Sequence, residues 1–238
     1  MALVPARLAV LIDADNTPAS VTSELMAEIA KYGTPTIRRA YGDWTTQNLA
    51  GWKDELLRHA IQPIQQFAYT RRKNSTDSSL IIDAMDVLYA GNVDGFAIVS
   101  SDSDFTRLAT RLRESGKTVY GLGRHETPDA FVQACDRFIY LELLGPEPEP
   151  EQVQPLPLEP LLRAAISGTG KVNGWSHLGE DGSYLGTQNP GFDTRAYGFS
   201  KLGELVRAQP YVEVRDVGGQ GGPTVLHVRL KPRATRSR

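Results

Sequence analysis

The chain has 238 residues, 40% hydrophobic and 23% charged, with a formal net charge of −2, enough for one medium and one small domain of ordinary globular composition. One cysteine (Cys135) and four scattered histidines exclude a disulfide framework and a Cys- or His-built metal centre, so a metal site here has to be made of oxygen, the chemistry of Mg²⁺ or Mn²⁺. No apolar stretch reaches the length of a membrane span, and Asp13 interrupts the first apolar run too early for a signal peptide, so a cytoplasmic protein is expected.

In chain order, LAVLI (8–12) reads as a buried strand, followed by a helix that Thr17 caps and Pro18 opens, running to about Tyr32 and stopped by Gly33. TPTIRRAY is a second strand, and a helix carrying Trp52, Leu56 and Leu57 runs from Thr46 to about Ala60. IQPIQQFAY is a third strand, placed at an edge because Pro63 cannot donate to a ladder. Ser75 or Thr76 caps a helix to about Ala90, and FAIVS is a fourth strand. A helix from Ser103 to Ser115, a fifth strand TVYGLG, a helix opened by Thr127-Pro128 and the closing run RFIYLELL complete the first part. Alternating strand and helix signals predict a three-layer α/β domain with a parallel sheet over residues 1–144.

Residues 145–155 form a Pro/Glu linker. Beyond it the rhythm changes: LEPLLRAAI, WSHLGEDGSYLG and the run from Tyr197 to about Arg207 read as helices, and YVEVRDV and TVLHVRL as a hairpin around a glycine turn. Three helices and a hairpin predict a small winged-helix α+β domain over 156–231, with a basic tail at 232–238. Charge divides accordingly. Residues 1–144 hold 15 basic against 18 acidic side chains, and residues 156–238 hold 11 against 7, so the second part suits an anionic partner.

Three acidic motifs carry the chemistry. LIDADNT delivers Asp13 to the carboxyl end of the first strand, and SSDSDF delivers Asp102 and Asp104 to the carboxyl end of the fourth, the edge at which open α/β sheets bind ligands. Asp77 falls in the first turn of its helix, where the dipole favours a carboxylate. At about 100° per residue Asp86 lies about 180° away from Asp77 and cannot share its site, and Asp83, about 120° away, is at best peripheral. Asp13, Asp77, Asp102 and Asp104 converge if the first and fourth strands are neighbours, and carboxylates so gathered call for a cation.

At LIDADNT, the K-x-x-x-D-x-x-L-x-x-D run from Lys73 to Asp83, and SSDSDF, the first domain resembles the NYN domains of the PIN-like nuclease superfamily. The resemblance implies a PIN-like, Rossmann-like sheet in strand order 3-2-1-4-5 and a metal-dependent ribonuclease, with Asp13, Asp77, Asp102 and Asp104 as metal-binding, catalytic carboxylates. Asn16 and Ser100 would be polar contacts in the pocket. Arg71, Arg72, Lys73, Arg38 and Arg39 would steer the phosphodiester backbone. Ser101 stands where many members have glycine, and Asn74-Ser75-Thr76 replaces the common glycine-containing turn; neither removes a carboxylate.

The second domain, at LLRAAI (161–166), S-x-L-G (176–179) and NPGFDTRAYGFSKLGELV (189–206), resembles the OST-HTH (LOTUS) winged-helix module. That resemblance implies RNA binding or a helicase-like protein partner, with Lys171, Arg195, Lys201 and Arg207 as phosphate contacts. Two other readings compete: a non-catalytic RNA-binding scaffold, and a haloacid-dehalogenase-type phosphatase using Asp13 and Asp15 of D-x-D-x-T. The phosphatase reading leaves no room for a capping insertion before Pro18. Oligomeric state, the RNA and the choice between endo- and exonuclease stay open at this level.

Overall fold

A computed structural model describes residues 5–67, 75–145, 153–171, 173–218 and 225–232. β1 (Arg7–Asp13) is buried from Leu8 onward, which requires apolar cover on both faces. Leu8, Val10 and Ile12 pack into one cluster, Ala9 and Leu11 into another. Around β1 lie β2 (Thr34–Gly42), β3 (Gln62–Gln65), β4 (Gly95–Val99), β5 (Thr118–Gly123) and β6 (Arg137–Tyr140). Among the described residues these form one six-stranded sheet in the order β3-β2-β1-β4-β5-β6, and every pairing is parallel. β1 and β4 are neighbours, so the order reverses between them.

Helices cover both faces. Leu25, Met26 and Ile29 of α1 (Thr22–Ile29) and Trp52 of α2 (Trp52–Arg58) close one core. Leu80, Ala84 and Val87 of α3 (Ser75–Ala90), Leu108 and Leu112 of α4 (Thr106–Glu114) and Phe131 of α5 (Asp129–Ala134) close the other. The expected three-layer α/β architecture and the edge position of Pro63 hold. The expected five-strand order gains a sixth member: Phe138 and Ile139 of β6 each enter a different core, but four residues merging into LELL carry too little periodicity to be read as a strand.

Several helix starts differ from the reading. Single 3₁₀ turns at Ala19–Val21, Gln47–Leu49 and Ser103–Phe105 precede α1, α2 and α4, and α1 ends at Ile29 rather than Tyr32. Pro18 takes the extended capping position itself (ψ 135°), so Thr17 caps nothing and its buried hydroxyl has no hydrogen-bond partner. The third strand ends at Gln65, and residues 68 and 69 of its expected span lie outside the described residues.

By internal contacts the chain divides into two units, Met1–Glu149 and Pro150–Arg238. In the second, α6 (Leu158–Thr169), α7 (Leu178–Gln188) and α8 (Leu202–Arg207) pack on an antiparallel sheet of β7 (Ser176–His177), β8 (Val212–Val217) and β9 (Val225–Leu230), in the order β7-β9-β8, the winged-helix α+β arrangement. Ser176 and His177 were expected in a helix. They pair instead with Val228 and His227, partners some fifty residues away that no local pattern reveals. The helix expected from Tyr197 begins at Leu202, because Gly198 (φ 79°) ends a separate 3₁₀ turn at Thr194–Tyr197. No helix among the described residues is long and apolar enough to cross a membrane.

Candidate metal centre

The order reversal between β1 and β4 opens the sheet's carboxyl edge, and the acidic residues meet there. Asp13 ends β1 with no solvent exposure. Ser100 Oγ donates to its Oδ2 at 2.8 Å and Asn16 Nδ2 donates to the same oxygen at 2.6 Å. Oδ1 is buried without any hydrogen-bond partner. Ser100 lies one residue beyond β4 and also accepts the Asp102 backbone N–H at 3.1 Å, which ties the two strand ends together. Gly123 at the end of β5 allows this close approach: a Cβ there would lie 2.6 Å from the Ser100 carbonyl oxygen. Asp102 Oδ1 accepts the Asp104 backbone N–H at 2.9 Å, a capping contact that orients the turn.

Asp77 reaches the same patch from the first turn of α3. Carboxylate oxygens of Asp77, Asp102 and Asp104 all lie within 4.8 Å of one another. Asp77 is buried, and its carboxyl is pushed up to about 6 by burial, then by the charges of Asp13, Asp102, Asp104 and Asp15. Burial also raises Asp13, against the lowering effect of its Asn16 and Ser100 hydrogen bonds. An oxygen-only cluster, in which Asp13 and Asp77 hold their protons more tightly than free carboxyls and one buried oxygen is orphaned, fits a hard divalent cation. A second group, His125, Glu126 and Glu142, is largely exposed, and its members pair with one another.

Ser100→Ala removes a donor from Asp13 and an acceptor from the Asp102 amide. A lost orienting contact of this kind is expected to weaken Mn²⁺ binding about tenfold, as titration calorimetry on the full chain checks.

The other expected site residues scatter. Arg71, Arg72 and Lys73 lie outside the described residues. Arg39 pairs with Asp83 at 2.9 Å, and Tyr41 donates to the same carboxylate at 2.9 Å, so Arg39 and Asp83 hold one another beside the strand. Arg38 donates to the carbonyls of Pro35 and His59. In the second unit Arg195 is clamped on the buried Asp193 carboxylate and Arg207 pairs with Asp216, both internal uses rather than open phosphate contacts. Lys201 is exposed at the cap of α8. Lys171, 3.6 Å from Glu180, lines a shallow cleft with Asn173, Trp175, His177, Arg215 and His227.

That cleft was missed in sequence, although strand alternation signals it. With His177 opposite His227 and His227 opposite Arg215, the sheet's outer face carries a row of His177, His227 and Arg215. Next to it run Trp175, Arg229 and Glu213. The guanidinium carbons of Arg215 and Arg229 lie 4.2 and 4.7 Å from the Trp175 ring centre.

Comparison with known proteins follows the division of the chain. The NYN domain family matches residues 7–142 and the OST-HTH/LOTUS domain family matches residues 157–223. The crystal structure of a protein of unknown function from Vibrio parahaemolyticus RIMD 2210633 is 18% identical with a TM-score of 0.50, covering 59% of this chain and 95% of its own, a likeness of fold. The solution NMR structure of an uncharacterized protein from Nitrosomonas europaea is 31% identical with a TM-score of 0.32, covering 36% of this chain and 82% of its own. No curated protein matches the chain.

Proposed function

Because the chain belongs to the NYN domain family and ends in an OST-HTH/LOTUS domain, we propose that it is a divalent-metal-dependent ribonuclease, probing RNA with its C-terminal domain and cutting it at Asp13, Asp77, Asp102 and Asp104. The observation that carries this reading is the buried, unpartnered Asp13 Oδ1 beside three carboxylates gathered within 4.8 Å. A Mg²⁺ or Mn²⁺ ion held there supplies Lewis-acid stabilisation of charge on a phosphodiester. The residues supply the rest. Ser100 and Asn16 fix Asp13 through Oδ2, which leaves Oδ1 buried and without a partner. The Asp102–Asp104 turn presents two carboxylates from the end of β4. Arg71, Arg72 and Lys73 precede α3 in sequence and would draw in the backbone, with Arg39 a weaker contributor because Asp83 already engages it.

For the C-terminal domain, the cationic outer face of β7, β8 and β9 favours RNA over a helicase-like protein partner. The Arg215 guanidinium and the imidazoles suit phosphates and Lys171 lines the same cleft, whereas Arg229 is already paired with Glu213 at 2.7 Å. Replacing Arg215 with Ala is expected to weaken RNA binding by the full chain about fivefold and to lower the slope of log affinity against log salt by about one, measured by fluorescence anisotropy in EDTA.

The reading as a whole is tested by incubating the full chain with end-labelled single-stranded and structured RNAs in Mn²⁺, Mg²⁺ or EDTA, beside Asp102→Asn. Cleavage that needs metal and is lost in the variant supports it. RNA binding without cleavage in any metal overturns it in favour of a non-catalytic binding protein. Cleavage of a circularised RNA, which has no free end, would mark an endonuclease.

A further inference from the structure

On the other side of the Asp13 turn from Asp77 lies a cleft of about 540 Å³, a volume in the range of small-ligand sites. Its residues follow the ends of β1, β4 and β5 or come from the 3₁₀ turn at Gln47–Leu49 and the start of α2. Ala14, Leu49 and Trp52, all buried, form an apolar floor, with Trp52 held edge-on against Trp44 at 6.5 Å. The wall is polar. Asn48 is exposed at the rim. Thr17, only 5% exposed, lines the same cleft with a hydroxyl that has no hydrogen-bond partner. A buried hydroxyl left unmatched is unfavourable, and a ligand bearing a complementary group would satisfy it.

The charge lining the cleft identifies the ligand class. Arg124 contributes one positive charge, and Asp15 and Glu126 contribute two negative ones. A phosphate would be repelled, whereas a flat, uncharged ring with polar edges suits an apolar floor under a carboxamide and a hydroxyl. The position identifies its place in a substrate. Asn16 lines the cleft and touches Asp13. Ser101, another lining residue, sits between Ser100 and Asp102 and accepts the Arg124 backbone N–H at 2.8 Å. A group in the cleft is therefore one residue's width from the acidic cluster.

We propose that this cleft is a nucleoside subsite. It seats the base and ribose of the nucleotide adjoining the bond to be cut, with Thr17 and Asn48 hydrogen-bonding the base edge and Trp52 and Leu49 beneath the ring. The subsite gives cleavage a sequence preference at that nucleotide. This deepens the ribonuclease reading and rests on it for the word substrate, but binding can be measured without turnover.

The test uses the ¹⁵N-labelled full chain in EDTA, titrated with adenosine, guanosine, cytidine and uridine 5′-monophosphates, followed by NMR. Saturable shifts at Thr17, Asn48 and the Trp52 indole N–H, differing among the four bases and weakened at least fivefold in Thr17→Val/Asn48→Ala, are expected. Shifts elsewhere only, or equal shifts in the double variant with its spectrum otherwise intact, overturn the subsite. Cleavage of an RNA pool by the same proteins gives the second readout: the double variant should flatten the base preference at the cut and raise KM more than it lowers kcat. An unchanged preference overturns the proposal while leaving the nuclease standing. Base-selective binding in a chain that cleaves nothing upholds the subsite and removes the nuclease.

Discussion

Asp13→Asn should lower metal-dependent RNA cleavage by at least about 10³-fold, about 4 kcal/mol of barrier, and at the same time raise the melting temperature of the metal-free protein by about 2–4 °C. Both effects follow from one geometry. Asp13 is fully buried at the end of β1, with Oδ2 held by Asn16 and Ser100 and Oδ1 held by nothing. Burial raises its pKa, so the ionised carboxylate is a burden on the folded state that a bound cation relieves. The amide is of the same size and can still accept from Ser100 and Asn16, so packing survives while the charge is lost. About 1 kcal/mol of relief corresponds to a shift of that size in a chain of this length. Single-turnover cleavage in Mn²⁺ and differential scanning calorimetry in EDTA check the two halves. Undiminished cleavage would remove Asp13 from the centre, and a melting temperature lowered by several degrees would make the carboxylate structural.

Asp77→Asn carries the second large effect, a loss of about 10²-fold in Mn²⁺ affinity at pH 7, together with a change in pH dependence. The Asp77 carboxyl is pushed up to about 6 by burial and by the charges of Asp13, Asp102, Asp104 and Asp15, from an ordinary value of 3.8. The sign follows from proton counting. Between 3.8 and about 6 the folded chain holds a proton that the unfolded chain has released, so this group's contribution to stability is full below 3.8 and is lost as pH rises through about 6. Metal binding needs the ionised form and runs the other way. From pH 7 to pH 5 the wild-type affinity for Mn²⁺ should fall about tenfold, while the metal-free chain gains stability. In Asp77→Asn both trends should flatten. Calorimetric titrations at the two pH values decide it: equal slopes in the two proteins would mean that another carboxylate governs the titration.

The chain's acidic motifs were legible because a parallel strand ends where its apolar run ends, and Asp13 and Asp102 stand at such ends. Asp77 was placed by its position in the first turn of its helix, where the dipole favours a carboxylate, and helix periodicity set Asp83 aside. In the structure Asp83 is held by Arg39 and Tyr41. Charge alone misled at Arg195 and Arg207. Each has an acidic partner within ten residues, and a count of basic residues does not reveal which are already neutralised.

What the sequence determined by itself is the alternation of strands and helices, the parallel three-layer sheet and the carboxylates offered at its carboxyl edge, since those depend on local periodicity and on residue type. The tertiary structure decided the rest. It added β6 and β7, whose short spans become strands only beside β5 and β9. It brought Ser100 and Asn16 onto one oxygen of Asp13 and left the other bare. It turned Thr17 from an expected helix cap into an unpaired hydroxyl in a cleft. Hydrogen-bond satisfaction inside a core depends on atoms far apart in sequence being brought within about 3 Å, and only packing decides which meet.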